Sequence, residues 1–440
     1  MAQLLDARGL ALAGATPAAL AHYEQALAAC LSWRPGADAL LDAALAEAPS
    51  FTMARVLQAW LRAASRDPRV VRSARPLLEA AAASPVGDLE RAHLAALERV
   101  LDDDYEGATQ RLGAALEARP RDLLALSVAG GLDHLGGRAD RLLARIERVL
   151  PAWPSDLPGF HSVLAMHAFA LVECGHDGLA EQRVHAALAL DEHDVRALHA
   201  MAHVFEMTDR PAAGARWLAA RASAWGRGTG VSAHCEWHLA LFHLAQGDAA
   251  AALAVYDGRI RAGDAAELAP LLDAATLLWR LRLRGVDGGA RWAALAEAWA
   301  PHIDDAFCSF NDLHAMLAFV GARDWTRAQA LERVLRHSQQ RATRHGESTR
   351  QLGLAACRGV MAFGRDDMPQ AIALLARLPT QAQGLGGSHA QRDVMHLTLL
   401  AALERVRRPS RRAAHVTPVG NETLDTRRAP VRSATAMHAA

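Results

Sequence analysis

The sequence predicts an all-α protein assembled from short antiparallel helix pairs, and three observations predict it. About half of the 440 residues are hydrophobic and aromatics are sparse. Ala and Leu dominate, and β-branched residues do not fall into alternating runs, so helix is expected along nearly the whole chain and no parallel sheet is. Pro and Gly recur at the intervals at which short helices stop and restart. Beyond residue 160 or so, a unit of about 34 residues repeats.

In chain order, residues 1–150 read as helical hairpins with apolar faces at three- and four-residue spacing. Trp33-Arg34-Pro35-Gly36, Ala48-Pro49-Ser50, Arg66-Asp67-Pro68, Ser84-Pro85-Val86-Gly87 and Arg119-Pro120-Arg121 interrupt them. The fragment Gly130-Gly131-Leu132-Asp133-His134-Leu135-Gly136-Gly137 follows no strand and lacks phosphate-loop spacing, so it reads as a helix end. Pro151 to Gly159 then opens the periodic region, residues 151–265. With Asp194 closing one unit, Leu164, Ala168, Leu171, Ala180, Val184 and Ala187 occupy the six packing columns of a tetratricopeptide repeat. The next unit keeps five of them, at Leu198, Ala202, Phe205, Gly214 and Leu218, while Arg221 breaks the sixth. A third unit from Ala233 places Ala240, Ala252 and Tyr256 on the columns. The expected architecture is a tetratricopeptide-like α-α superhelix, a solenoid that either stays open or closes around a central pocket. Residues 266–406 continue as helical pairs, with Ser338 to Thr349 as a loop, and 407–440 read as a disordered basic tail.

Composition removes several function classes. Acidic and basic residues balance at 48 each, so no electrostatic argument favours nucleic acid or an anionic membrane surface as partner. There is no lysine, which excludes Schiff-base chemistry and a Walker-type phosphate loop from this chain. Five scattered cysteines without CxxC spacing fit reduced thiols rather than a disulfide framework. No secretory signal is visible after Met1 and no uncharged apolar run spans a bilayer. A soluble, cytoplasmic protein is expected.

The repeat register directs attention to histidine. In such units the second, fifth, ninth and twelfth positions of the first helix face the concave groove. These are Arg196, His199, His203 and Glu206 in one unit, while the next offers His234 and Trp237, with His238 one step round the helix. Each neighbouring helix thus carries a His pair at i and i+4, which brings both rings of the pair towards one face.

Together, His199 to Met207, the Cys235-Glu236-Trp237-His238 helix with Gly247-Asp248 and Tyr256-Asp257, Phe310-Asn311-Asp312-Leu313-His314, and Gly386 to Asp393 resemble the tetratricopeptide repeat protein 38 family. The segments Arg148 to Trp153 and Leu157 to Phe160 are similar too, and the likeness covers roughly residues 10 to 405. It implies an all-helical repeat superhelix and no established reaction. Gly130-Gly131 and Cys235-Glu236 depart from the family pattern.

The candidate groups carry alternative readings. The four histidines suit a transition metal, with Glu206 or Asp312 supplying oxygen. Without the glutamate of HExxH, however, the spacing singles out no metal, and a metal-free polar pocket or structural hydrogen bonding explains it equally. No metal and no cofactor is therefore expected. Asn311, Asp312 and His314 form either a helix cap or an Asp–His pair in which the carboxylate orients a general base. Gln391, Arg392 and Asp393 offer either an internal ion pair or a guanidinium clamp for a carboxylate or phosphate. Ser388 lacks the GxSxG context of a nucleophile.

Two functions follow from these residues. The first is a His/Asp/Arg-lined concave pocket that binds or transforms an anionic small molecule by acid/base chemistry. His203 or His238 would serve as acid/base, Glu206 or Asp312 as the orienting carboxylate with His314 beside them, and His199, His234, Trp237, Asn311, Gln391, Arg392 and Asp393 would line the pocket. The second is a non-catalytic scaffold holding a peptide or protein in its groove.

Overall fold

Residues 4–226, 228–260 and 268–407 are described by the computed structural model. They form an all-α chain whose strand content is a two-residue antiparallel pair, Leu4–Leu5 with Ala11–Leu12. That small hairpin is pinned by Arg8, buried between Asp6 at 2.8 Å and Glu24 at 2.9 Å. The tail beyond residue 407 and the stretch 261–267, where the expected boundary at 265 falls, lie outside the described residues.

The punctuation seen in the sequence sets the helix starts. Thr16, Asp67, Asp104, Asp122, Asp194, Asp248, Asp324 and Asp367 each accept a backbone N–H from the first turn of the helix they precede, which satisfies donors that a helix end leaves unpaired. Helix pairs follow one another: Phe160–Glu173 packs on Asp177–Leu190, Val195–Met207 on Pro211–Ala220, and Ser232–Ala245 on Ala249–Val255. The first helix of each pair also packs on the first helix of the next, continuing into Leu268–Leu283 and Ser309–Gly321. The predicted column residues Leu164, Ala168, Leu171, Ala180, Val184, Ala187, Leu198, Ala202, Phe205, Leu218, Ala240, Ala252 and Tyr256 are all buried. At Gly214 a Cβ would overlap the ring of Phe242, so the small residue there lets two helices approach closely.

One local expectation needs correction. Ser338 to Thr349 is not a plain loop: the preceding helix runs to Ser338, and Thr343 caps a helical turn, Arg344–Ser348, that leads through Thr349–Gly353 into Leu354–Gly364. The fragment Gly130 to Gly137 does end a helix, as expected: Leu123–Leu135 runs through Gly130-Gly131 and stops at Gly136. Gly130 faces Leu142 of the next helix, where a larger residue would crowd the contact.

The early helices meet the late ones. Arg69 reaches Asp305 at 3.0 Å, Asn311 Nδ2 donates to the Arg66 carbonyl at 3.0 Å, and Tyr105 lies edge-on to Phe307. The segment Gly386–Gly387 has left-handed backbone, and a Cβ on Gly386 would overlap the Leu135 carbonyl. These contacts place parts of residues 66–137 against residues 301–392.

Candidate functional site: a four-histidine cluster

The four histidines of the two His pairs converge. One ring nitrogen from each of His199, His203, His234 and His238 lies within 4.8 Å of every other. His199 and His203 Nε2 are 3.0 Å apart, a distance at which one ring donates and the other accepts. Ring centroids of His203 and His238 are 4.5 Å apart, and those of His199 and His234 are 5.0 Å apart. His203 and His238 are fully buried, His199 nearly so, and His234 keeps 20% of its side chain open.

Carboxylates stand behind two of the rings. His234 Nδ1 lies 2.9 Å from Asp273, which leaves Nε2 for the cluster. Asp273 also accepts from Gln391 Nε2 at 3.3 Å. His238 Nδ1 is 3.2 Å from Glu206, close but not aligned as a hydrogen bond, and His238 Nε2 has no hydrogen-bond partner among the described residues. Burial, reinforced by the neighbouring imidazoles, holds His199 and His203 well below the ordinary histidine range. Burial does the same for His238, with His234 and Arg280 adding to it. Three of the rings are therefore neutral near pH 7.

Aromatic rings wall the cluster. Trp237, fully buried, stacks on His234 at 5.1 Å and 14°. Phe169 stacks on His199 and meets His203 and His134 edge-on. Trp33 closes another side, 5.7 Å from His199, with the Arg196 guanidinium over its outer face.

The remaining predicted residues divide. Gln391 joins the cluster through Asp273. Asp393 pairs with Arg280, whose guanidinium lies 5.5 Å from the Trp237 ring. Arg392 does not pair with its neighbour Asp393: it donates to the Gly387 carbonyl and reaches Glu173 at 3.3 Å, and Glu173 also accepts the His389 N–H at 3.0 Å. Arg392 is thus engaged in fastening the Gly386–Arg392 segment. The Asp312–His314 pair does not form, because those side chains leave their helix in different directions. Asp312 lies 2.7 Å from His345, burial raising its carboxyl while His345 opposes the rise. His314 Nδ1 donates to the Phe310 carbonyl at 2.6 Å, and its Nε2 is buried without a hydrogen-bond partner. Asn311 is held by the Arg66 carbonyl.

Five polar residues of the surround escaped the sequence reading. Asp273 is the one acid in the apolar run Leu271 to Leu278, and Glu173 is similarly isolated in Ala168 to Cys174; a lone acid on a buried helix face is a readable signal. His134 sat within a glycine-rich fragment that drew attention to its glycines. Burial lowers its pKa to about 3, with Arg66 and Arg392 adding to the effect. Arg280 carried no local signal. Arg66 lies 4.8 Å from the Phe310 ring with Nη1 buried and unpartnered, and burial lowers its pKa.

A surface groove of about 390 Å³ lies elsewhere, lined by Glu106, Glu117, Arg141, Arg145 and Arg148 among others. Its charges already satisfy one another, as in Arg141–Glu106 at 2.9 Å and Arg148–Glu117 at 3.1 Å. The cysteines are free, and burial raises the thiols of Cys235, Cys308 and Cys357, which makes them poor nucleophiles. No described helix is long and apolar enough to cross a membrane.

No family model matches the chain.

Proposed function

We propose that this protein is a tetratricopeptide-type superhelix closed around an interior site, and that the site binds an anionic small molecule and moves a proton with its imidazole–carboxylate pairs. The observation that carries the reading is the Asp273–His234 pair at the edge of the four-imidazole cluster. A carboxylate that takes the Nδ1 proton fixes the tautomer and turns Nε2 inward as an acceptor, the arrangement a general base needs. His203 and His238 are neutral and share that role, with Glu206 behind His238. Asp312 and His314, each committed to another partner, stand outside it.

Arg66 supports an anionic ligand, because a half-buried guanidinium with an unpartnered Nη1 favours a negative group beside it. The likeness to the tetratricopeptide repeat protein 38 family and the burial of the repeat columns support the superhelix. A cytoplasmic location agrees with the free thiols. The alternative, an open scaffold for a peptide, fits less well, since Trp237, His203 and His238 are buried rather than presented to a groove.

Thermal-shift screening of the full chain against small carboxylates and phosphomonoesters tests the reading. At least one compound should raise the melting temperature of the wild type, and Arg66→Met should abolish the shift. A panel that stabilises neither protein, or both equally, would defeat the proposal.

A further inference from the structure

We infer that His199, His203, His234 and His238 form a binding site for one divalent transition-metal ion of the zinc and cobalt class. The inference shares the interior site proposed above but depends only on its four imidazoles.

Three observations converge on it. The first is geometry. An ion bound tetrahedrally at about 2.0 Å from each imidazole nitrogen keeps its ligand atoms about 3.3 Å apart. His199 and His203 Nε2 already stand at 3.0 Å, and the whole set spans no more than 4.8 Å, so the widest pair closes by about 1.5 Å, within reach of small ring rotations.

The second is hydrogen bonding. His238 is fully buried and its Nε2 has no hydrogen-bond partner among the described residues. A buried polar atom without a partner is costly, and ligation gives this one a partner that its aromatic surroundings do not. The carboxylates behind the rings complete the pattern. Asp273 takes the outer nitrogen of His234 and Glu206 lies against the outer nitrogen of His238, leaving the inner nitrogens for the ion. A carboxylate behind a ligating histidine both fixes the tautomer and strengthens the ligand.

The third is charge. Imidazole ligands add no negative charge, and the two acidic side chains behind them, Asp273 and Glu206, are of the sign that suits a cation. Two other buried charges near the cluster are matched elsewhere, Arg280 by Asp393 and Arg392 by Glu173. Imidazole suits zinc, cobalt, nickel and copper, whereas magnesium and calcium favour oxygen ligands.

The test uses the full chain without a His tag, stripped by chelator and dialysed against Zn(II) alone, with the bound ion counted by elemental analysis. One ion per chain is expected. Titration with Co(II) should give the intense visible absorption of a tetrahedral site. His203→Gln combined with His238→Gln should remove stoichiometric binding while circular dichroism reports the helix content. Should that variant fail to fold, Asp273→Asn retains all four ligands and is expected to weaken Zn(II) binding about 10- to 100-fold. A wild type that retains well under one ion per chain, a folded double variant that binds as the wild type does, or Asp273→Asn with unchanged affinity would overturn the assignment. Repeating the anionic-ligand screen on stripped and Zn(II)-loaded protein separates the two proposals. Ligand stabilisation without Zn(II) binding removes only the metal site, and Zn(II) binding without any ligand removes only the small-molecule reading.

Discussion

Asp273 Oδ2 and His234 Nδ1 lie 2.9 Å apart across two adjacent first helices, and this one contact ties the histidine cluster to the Gly386–Arg392 segment through Gln391. Replacing the carboxylate leaves His234 Nδ1 without its anionic acceptor. Asp273→Asn should cost about 1–3 kcal/mol in chemical denaturation, the usual penalty for a disrupted buried hydrogen bond to a charged group. It should also change the His234 tautomer, visible in nitrogen-15 correlation spectra of the ring. An unaltered tautomer would show that Asp273 does not orient His234.

The interior histidines make stability sensitive to acid. Burial lowers the pKa of both His134 and His314 to about 3, whereas the unfolded chain titrates near 6.5. Above that value both states are neutral and the rings contribute nothing to the pH dependence. Below it the unfolded state binds protons that the folded state refuses, so stability falls with pH until about pH 3, by up to about 1.4 kcal/mol per pH unit for each fully buried ring. His314 is fully buried; His134 retains some exposure, and solvent moderates its share. His161, whose pKa Asp194 raises, acts in the opposite sense. Melting temperatures of His314→Gln should therefore decline less between about pH 6.5 and pH 5 than those of the wild type; parallel curves would count against a neutral buried His314.

Asp312 and His345 separate structure from chemistry. His345→Ala leaves a buried carboxyl group without its partner at 2.7 Å, and a loss of about 3–5 kcal/mol is expected in urea unfolding. At a temperature where the variant stays folded, any ligand or metal binding at the histidine cluster should persist. If the variant keeps wild-type stability and loses binding instead, Asp312 belongs to the site.

Gly387 permits the tight approach of the last segment to the Ser309–Gly321 helix. Its φ is +78°, and a Cβ there would overlap the Phe310 ring. Gly387→Ala combines backbone strain with overpacking, together about 2–4 kcal/mol. A thermal melt within a degree of the wild type would contradict this packing.

The sequence made the helical class and the convergence of two His pairs readable for the same reason: both depend on local periodicity. Once the 3.6-residue turn and the repeat register are known, His199, His203, His234 and Trp237 point one way. Partner choice is not local. Asp312 turns to His345 and Arg392 to Glu173, 219 positions earlier in the chain, because each buried charge takes the partner that tertiary packing brings closest. Gly386 lies in a tight turn and Ser388 caps the short helix after it, but nothing in the one-dimensional pattern says which helix that turn lies against.

The contacts between the early and the late helices are among the most distant in sequence. Asn311 meets the Arg66 carbonyl across 245 positions and Arg69 meets Asp305 across 236. Hairpins with short connections form quickly, while closure over such separations is slow. During synthesis the two histidine-bearing helices therefore emerge and pair well before residues 301–392 exist to cover them. For that interval the cluster faces solvent more widely than it does once those residues are in place.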